Sequence, residues 1–137
     1  MGTPEQNQAL VQRFIDALGR GDAAAAAACF DPERYYSHTF EADLAGTWER
    51  MKANRRAGTW TDVESTNELV GAFDDRVVRV ETWSATHSGE FLGLPPTGRR
   101  VTTHFLEMWR VEDGKIVEHW GGFNAVPVYR QLTEGAP

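Results

Sequence analysis

Residues 89–120 read GEFLGLPPTGRRVTTHFLEMWRVEDGKIVEHW, and this stretch decides the fold. Its first part, residues 89–100, sets three glycines and the Pro95-Pro96 pair around a short apolar run. Proline lacks a backbone donor and glycine weakens both helix and strand, so this part predicts a shaped excursion between regular elements. The second part holds two β-type runs, residues 101–111 and 115–124, joined through Asp113-Gly114. Both central residues of a type I′ turn need φ > 0, which an Asp-Gly pair tolerates, so a hairpin is predicted.

Working outward, the 137 residues predict one domain spanning 1–137. Hydrophobic and charged fractions of 41% and 25% are those of a soluble globular protein. Five Trp, seven Phe and three Tyr supply material for a core, an apolar pocket or a subunit interface. The formal charge of −6 argues against nucleic acid or an anionic membrane as partner. Cys29 is the single cysteine, which excludes an intrachain disulfide and a cysteine-built zinc site. No metal-ligand spacing, phosphate-binding loop, dinucleotide fingerprint or G-x-S-x-G occurs, so neither metal nor cofactor is expected. With no leader pattern and no apolar run of membrane length, a cytoplasmic location is expected.

Thr3-Pro4-Glu5-Gln6 reads as a capped helix start. Leu10, Val11, Phe14, Ile15 and Leu18 then share one helical face, and the Gly19/Gly21 pair ends the helix. Asp22 caps a second helix through the alanine run 23–28. Residues 34–40 predict a short strand, with Tyr36 and His38 on one face and Tyr35, Ser37 and Thr39 on the other. A third helix is predicted from Gly46-Thr47 through Ala57, with Trp48, Met51 and Lys52 on one side and Arg50, Asn54 and Arg55 towards water. Strands are expected over 60–73 and 76–88, then the excursion, the hairpin and a terminal helix capped by Asn124. The order predicts an α+β fold: a curved, mainly antiparallel sheet wrapped around N-terminal helices, forming a conical pocket.

A hairpin closed at Asp113-Gly114 pairs Glu112 with Lys115, Trp109 with Glu118 and Leu106 with Gly121. One face then carries His104, Leu106, Met108, Val117, His119, Gly121 and Phe123. The other carries Phe105, Glu107, Trp109, Ile116, Glu118, Trp120 and Gly122. Both are substantially apolar, which predicts a cavity on one side and a second copy of the chain on the other. The His104/His119 face is assigned to the cavity, because its residues are less bulky and two imidazoles converge on it. Arg79, Glu81, Trp83 and His87 share a face of the preceding strand: pointing inward it makes Glu81 a buried base with Arg79 as its partner, but the outward or interface placement is favoured, because Val78 and Val80 need a core. Glu107 and Glu118 are expected at an interface or rim.

Residues 86–102, THSGEFLGLPPTGRRVT, residues 109–120, WRVEDGKIVEHW, and residues 7–14, NQALVQRF, closely resemble the SnoaL-like family of polyketide cyclases and ester cyclases. The resemblance implies the α+β cone shared by ketosteroid isomerase, scytalone dehydratase and limonene epoxide hydrolase. It also implies a cofactor-free pocket, homodimers or homotetramers, and ring closure by intramolecular aldol chemistry. In the cyclases an acidic residue just after the E-H-W element looks like the acid/base; here that position is Gly121, followed by Asn124.

The expected function is therefore a cofactor-independent cyclase or isomerase acting by acid/base chemistry on a polyketide-like or other hydrophobic secondary metabolite. His104 and His119 are the expected catalytic pair. Tyr36, His38 and Asn124 are placed to hydrogen-bond a carbonyl, Trp48 and Met51 to shape the pocket, and Leu106, Met108 and Phe123 to line it. The alternative is a non-catalytic small-molecule-binding or accessory protein on the same scaffold, because Gly121 carries no acid. Epoxide opening, as in the hydrolase relatives, needs an Asp–Arg–Asp arrangement that the sequence does not display.

Overall fold

A computed structural model describes residues 2–134, so Met1 and Gly135, Ala136 and Pro137 of the expected 1–137 domain lie outside the described residues. The elements run α1 (Pro4–Gly19), α2 (Ala23–Ala27), β1 (Tyr36–Ser37), α3 (Leu44–Ala57), β2 (Trp60–Phe73), β3 (Arg76–His87), β4 (Arg100–Glu112), β5 (Lys115–Phe123) and α4 (Ala125–Glu134). The helices start where the sequence supplies caps. Thr3 Oγ1 accepts from Gln6 N–H while Gln6 Oε1 accepts from Thr3 N–H, a reciprocal capping box. Asp22 and Asp43 accept from Ala25 and Gly46 N–H. α3 thus begins at Leu44, ahead of the Gly46-Thr47 start expected from sequence, because Asp43 is its cap. No helix among the described residues is long and apolar enough to cross a membrane.

The five strands form one curved, unclosed sheet in the order β1-β5-β4-β3-β2. Pairing is antiparallel except between β1 and β5, which run parallel with Ser37 beside His119. β1 is only two residues long, shorter than the strand expected over 34–40, and His38 continues it by donating its N–H to the His119 carbonyl at 2.8 Å. Asp113 and Gly114 have φ of 51° and 71°, the left-handed pair that closes the β4–β5 hairpin.

One feature of that hairpin exchanges the expected faces of β4 relative to β5. Val111 pairs with Ile116, but Arg110 pairs with Glu118, so β5 carries one extra residue, Val117. Ile116 and Val117 are both buried, and a bulge lets two adjacent apolar side chains leave solvent together. Every later pair shifts by one residue, and a one-residue shift exchanges the faces. Trp109 therefore faces His119, Glu107 faces Gly121 and Phe105 faces Phe123 on the inside. Leu106, Met108 and Trp120 fall on the outside.

β3 corrects a second expectation. Its alternate residues Val77, Glu81, Trp83, Ala85 and His87 are buried, while Val78 and Val80 are only partly covered on the outer face. The face with the charged pair is the inner one. Two cores result. One joins α1 and α2 to the sheet through Val11, Phe14, Phe30, Trp109, Val111 and Ile116. Phe14 meets Phe30 edge-on with ring centroids 4.8 Å apart, and Phe30 meets Tyr35 in the same way. The other packs α4 through Val128 and Leu132 against Trp83, Ala85 and Val101. His87 anchors the Gly/Pro excursion: its Nδ1 accepts from Thr97 N–H at 3.2 Å and its carbonyl accepts from Gly98 N–H at 2.9 Å.

Candidate functional site

Between the inner face of the sheet, α1 and α3 lies a cavity of about 440 Å³. Its walls are mainly aromatic, with Phe14, Phe30, Trp48, Trp83, Phe105 and Trp109 contributing. Into this apolar space the sheet projects four ionisable side chains, Arg79 and Glu81 from β3, Glu107 from β4 and His119 from β5. They form a chain. His119 Nε2 lies 3.5 Å from Glu107 Oε1, and Glu107 Oε2 lies 3.5 Å from Arg79 Nη1. The Arg79 guanidinium also donates to Glu81, and its Nε donates to Asn67 Oδ1 at 2.8 Å.

Neighbouring contacts orient the imidazole. Ser37 Oγ accepts from Phe40 N–H at 3.2 Å, which leaves its own hydroxyl hydrogen free to point at His119 Nδ1, 3.4 Å away. On that assignment Nε2 carries the proton and donates towards Glu107. Trp109 lies against the ring with centroids 5.5 Å apart. Burial pushes the Glu81 carboxyl above its ordinary value; Arg79 opposes that rise and Glu107 adds to it. Just ahead of β1, burial pushes the Tyr35 phenol up to about 12, against the neighbouring Ser37 and Thr47 hydroxyls. Tyr35 therefore stays a hydrogen-bond donor. Thr47 Oγ1 is buried, lines the cavity and has no protein partner of good geometry among the described residues. A buried hydroxyl without a partner costs about 1–3 kcal/mol, which a bound carbonyl oxygen would recover.

The residues expected from sequence divide between the two faces. His119, Trp48 and Met51 line the cavity. His104 does not: it pairs with Thr82 on the outer face, its side chain 58% exposed and 3.9 Å from Glu68. Leu106 is likewise exposed, and Met108 pairs with Trp120 on that outer side. The Val117 bulge is the reason for all three. Tyr36 and His38 also lie outside, since β1 turns Ser37 inward; His38 stacks on Trp120 at 4.7 Å and meets Glu118 at 2.7 Å. Glu118 is thus an outer-face charge, also bonded to Arg110 at 2.7 Å, whereas Glu107 is an inner one. Phe123 packs behind the cavity on Trp83 and Phe105. Asn124 is exposed at the start of α4, where its Oδ1 accepts from Val126 N–H at 3.0 Å.

Sequence reasoning missed Glu107 and the hydroxyls of Tyr35, Ser37 and Thr47, and turned Arg79 and Glu81 outward. A signal was present in β4: Val101, Phe105, Trp109 and Val111 share the odd positions with Glu107, against the more polar Thr102, His104, Arg110 and Glu112. The missing acid also has a structural account. Gly121 has φ of 131°, and a Cβ there would run into the Leu106 carbonyl oxygen and lie 2.8 Å from Glu107 Cα. No side chain fits at that position, and the carboxylate directly across the ladder, Glu107, occupies the region instead. The carboxylate–guanidinium–carboxylate arrangement not displayed by the sequence is present with glutamates, as Glu81–Arg79–Glu107.

Comparisons with known proteins agree with this architecture. The model of the SnoaL-like polyketide cyclase family matches residues 8–132. Among solved structures, AclR, a candidate hydroxylase from Streptomyces galilaeus, is 32% identical with a TM-score of 0.75, the match covering 98% of this chain and 100% of that one. IdmH, a candidate polyketide cyclase from Streptomyces antibioticus, is 27% identical with a TM-score of 0.78, over 93% and 99% of the two chains. Among curated proteins, the aklanonic acid methyl ester cyclase DnrD of Streptomyces peucetius is 39% identical over 51 residues. That match spans only about a third of each protein, 37% of this chain and 35% of the cyclase. On the match across residues 8–132, the chain belongs to the SnoaL-like polyketide cyclase family.

Proposed function

We propose that the protein is a cofactor-independent cyclase or isomerase that works by acid/base chemistry on a polyketide-like substrate. The observation that carries this reading is the Glu107–His119 pair, set opposite Gly121 at the floor of an aromatic cavity. Glu107, its carboxylate held by His119 Nε2–H and the Arg79 guanidinium, takes a proton from a carbon next to a carbonyl. Tyr35 and Thr47 donate to that carbonyl oxygen as enolate charge develops, a stabilisation that counts for more in a dry site than in water. The enolate carbon attacks a second carbonyl of the same molecule, forming the ring bond as the C=O π bond breaks, and the resulting alkoxide takes the proton back from Glu107. The walls fold the chain so that the reacting carbons meet, which removes much of the entropic barrier. Names of relatives support the class of substrate: DnrD is called a cyclase of aklanonic acid methyl ester.

A second reading follows from Arg79 lying between Glu81 and Glu107. Two carboxyls around one guanidinium suit the addition of water to a strained ring, one carboxylate activating the water and the other carboxyl protonating the leaving oxygen. Incubation with aklanonic acid methyl ester and related poly-β-ketone esters and epoxides, followed by mass spectrometry, separates the readings. Cyclisation leaves the mass unchanged, or lower by one water if dehydration follows. Epoxide opening adds one water, and hydroxylation, the activity suggested for AclR, adds one oxygen. Binding without any product supports the accessory role and contradicts catalysis.

The same proposal includes self-association through the outer sheet face, where Leu69, Phe73 and Leu106 are more than half exposed.

A further inference from the structure

A second chamber of about 380 Å³ lies outside the first, between α2 and α3. Leu18, Trp48 and Met51 line both chambers, so the two spaces meet at these three side chains. One wall of the outer chamber is the alanine run of α2, whose short side chains leave the space unfilled. The opposite wall is a single stripe of α3, Trp48, Met51, Lys52 and Arg55, at helical spacing i, i+3, i+4 and i+7. Arg55, expected from sequence to point away into water, belongs to this stripe because α3 faces α2 along that edge. The lining holds two cations and no acid, in a chain with 20 acidic and 14 basic residues. Lys52 is only loosely committed elsewhere, 3.4 Å from Glu49.

The two chambers have opposite electrostatic character. The inner one presents Glu81 and Glu107, and one guanidinium shared between them. A carboxylate entering it would meet like charge in an apolar surround, which is strongly unfavourable. The same group at Lys52 and Arg55 meets two donors at the solvent edge. An elongated apolar molecule with a carboxylate at one end can therefore sit in only one direction: acid end at α3, uncharged end past Trp48 and Met51 against His119.

We propose that the substrate carries a free carboxylate distal to its reacting carbons, and that Lys52 and Arg55 select and orient it in the outer chamber. This rests on the acid/base reading of the inner cavity, and it separates this chain from relatives named for a methyl ester. Charge recognition sets direction, and direction decides which carbonyl reaches the dyad.

The test is a binding measurement, independent of turnover. Anthraquinone-2-carboxylate and its methyl ester are titrated into the protein by calorimetry. The acid is expected to bind roughly threefold to thirtyfold more tightly than the ester, the range for two partly exposed ion pairs. That preference is expected to shrink as salt rises towards 1 M. The double variant Lys52→Glu/Arg55→Glu removes the preference and leaves ester affinity within about twofold, since both residues sit on an exposed helix edge. Ala27→Leu, which fills the outer chamber without touching charge, weakens both probes; melting curves for each variant check the fold. Equal affinity for the two probes in the unaltered protein overturns the proposal. So does a preference that survives charge reversal, or binding of both probes unaffected by Ala27→Leu. None of these results bears on whether His119 and Glu107 act on a substrate, and loss of that reading would leave a measured carboxylate preference standing.

Discussion

Replacing Gly121 by Ala probes the backbone feature that sets Glu107 across the ladder from a residue without a side chain. At φ of 131° an L-residue is strained, by about 1–3 kcal/mol for a sparsely populated region. The added Cβ also meets the Leu106 carbonyl oxygen and Glu107 Cα, both backbone atoms that cannot swing aside. Overpacking of this kind costs roughly 1–3 kcal/mol. Reduced freedom of the unfolded chain returns only about 0.4–1 kcal/mol. The net loss is about 1–5 kcal/mol, a large part of the roughly 5–15 kcal/mol that holds a domain of this size together. Gly122 supplies the control, because its φ of 144° is equally unsuited to a side chain but nothing lies within 4 Å of a Cβ there. Gly122→Ala therefore bears the strain without the collision and falls between the native protein and Gly121→Ala. Urea denaturation at constant m reads both differences from the midpoints. Gly121→Ala as stable as the native protein, or no less stable than Gly122→Ala, would refute the reasoning. The same collision predicts that Gly121→Asp, which restores an acid to the sequence, lowers stability and brings no gain in turnover.

Further outcomes follow from the same geometry. Ile116 is fully buried beside the bulge, so Ile116→Ala should lower stability by about 2–5 kcal/mol in denaturant unfolding. Burial holds Glu81 above its ordinary value of 4.5, so the folded state keeps that proton to higher pH than the unfolded state does. Its contribution to stability is then complete below the unfolded value and is lost as pH rises through the folded one. Glu81→Gln does not titrate, so its melting temperature should show a flatter pH profile over that window. Self-association through the outer sheet face predicts an oligomer in light scattering. Leu106→Glu should shift it towards monomer without changing the melting profile of the dilute protein.

The residues that announced the fold are those whose chemistry is local. Asp113-Gly114 closes a hairpin because of its own dihedral preferences, and Thr3, Asp22 and Asn124 cap helices through atoms a few residues away. The Gly/Pro excursion reads the same way, although His87, which anchors it, is identifiable only from the fold. The site was less legible because it depends on one non-local event. Val117 enters the core next to Ile116, the ladder slips by one residue, and His104 exchanges places with Glu107. Nothing within the hairpin's turn specifies that slip; burial of both apolar side chains does. Arg79 and Glu81 were turned outward on the assumption that Val78 and Val80 needed the core. The fold instead fills the inner face with Val77, Trp83 and Ala85. Ser37 reaches His119 only because β1 joins the sheet in parallel, a pairing that two residues do not signal.

The central claim is that the chemistry occurs on the inner face of the sheet, at His119 and Glu107. Single-turnover rates with a converted substrate, compared between His119→Ala and His104→Ala, test it most directly. The account predicts that His119→Ala loses at least roughly a hundredfold, the usual scale for a general acid or base, while His104→Ala keeps the native rate. Retained turnover in His119→Ala, or its loss in His104→Ala with the fold intact, would contradict it.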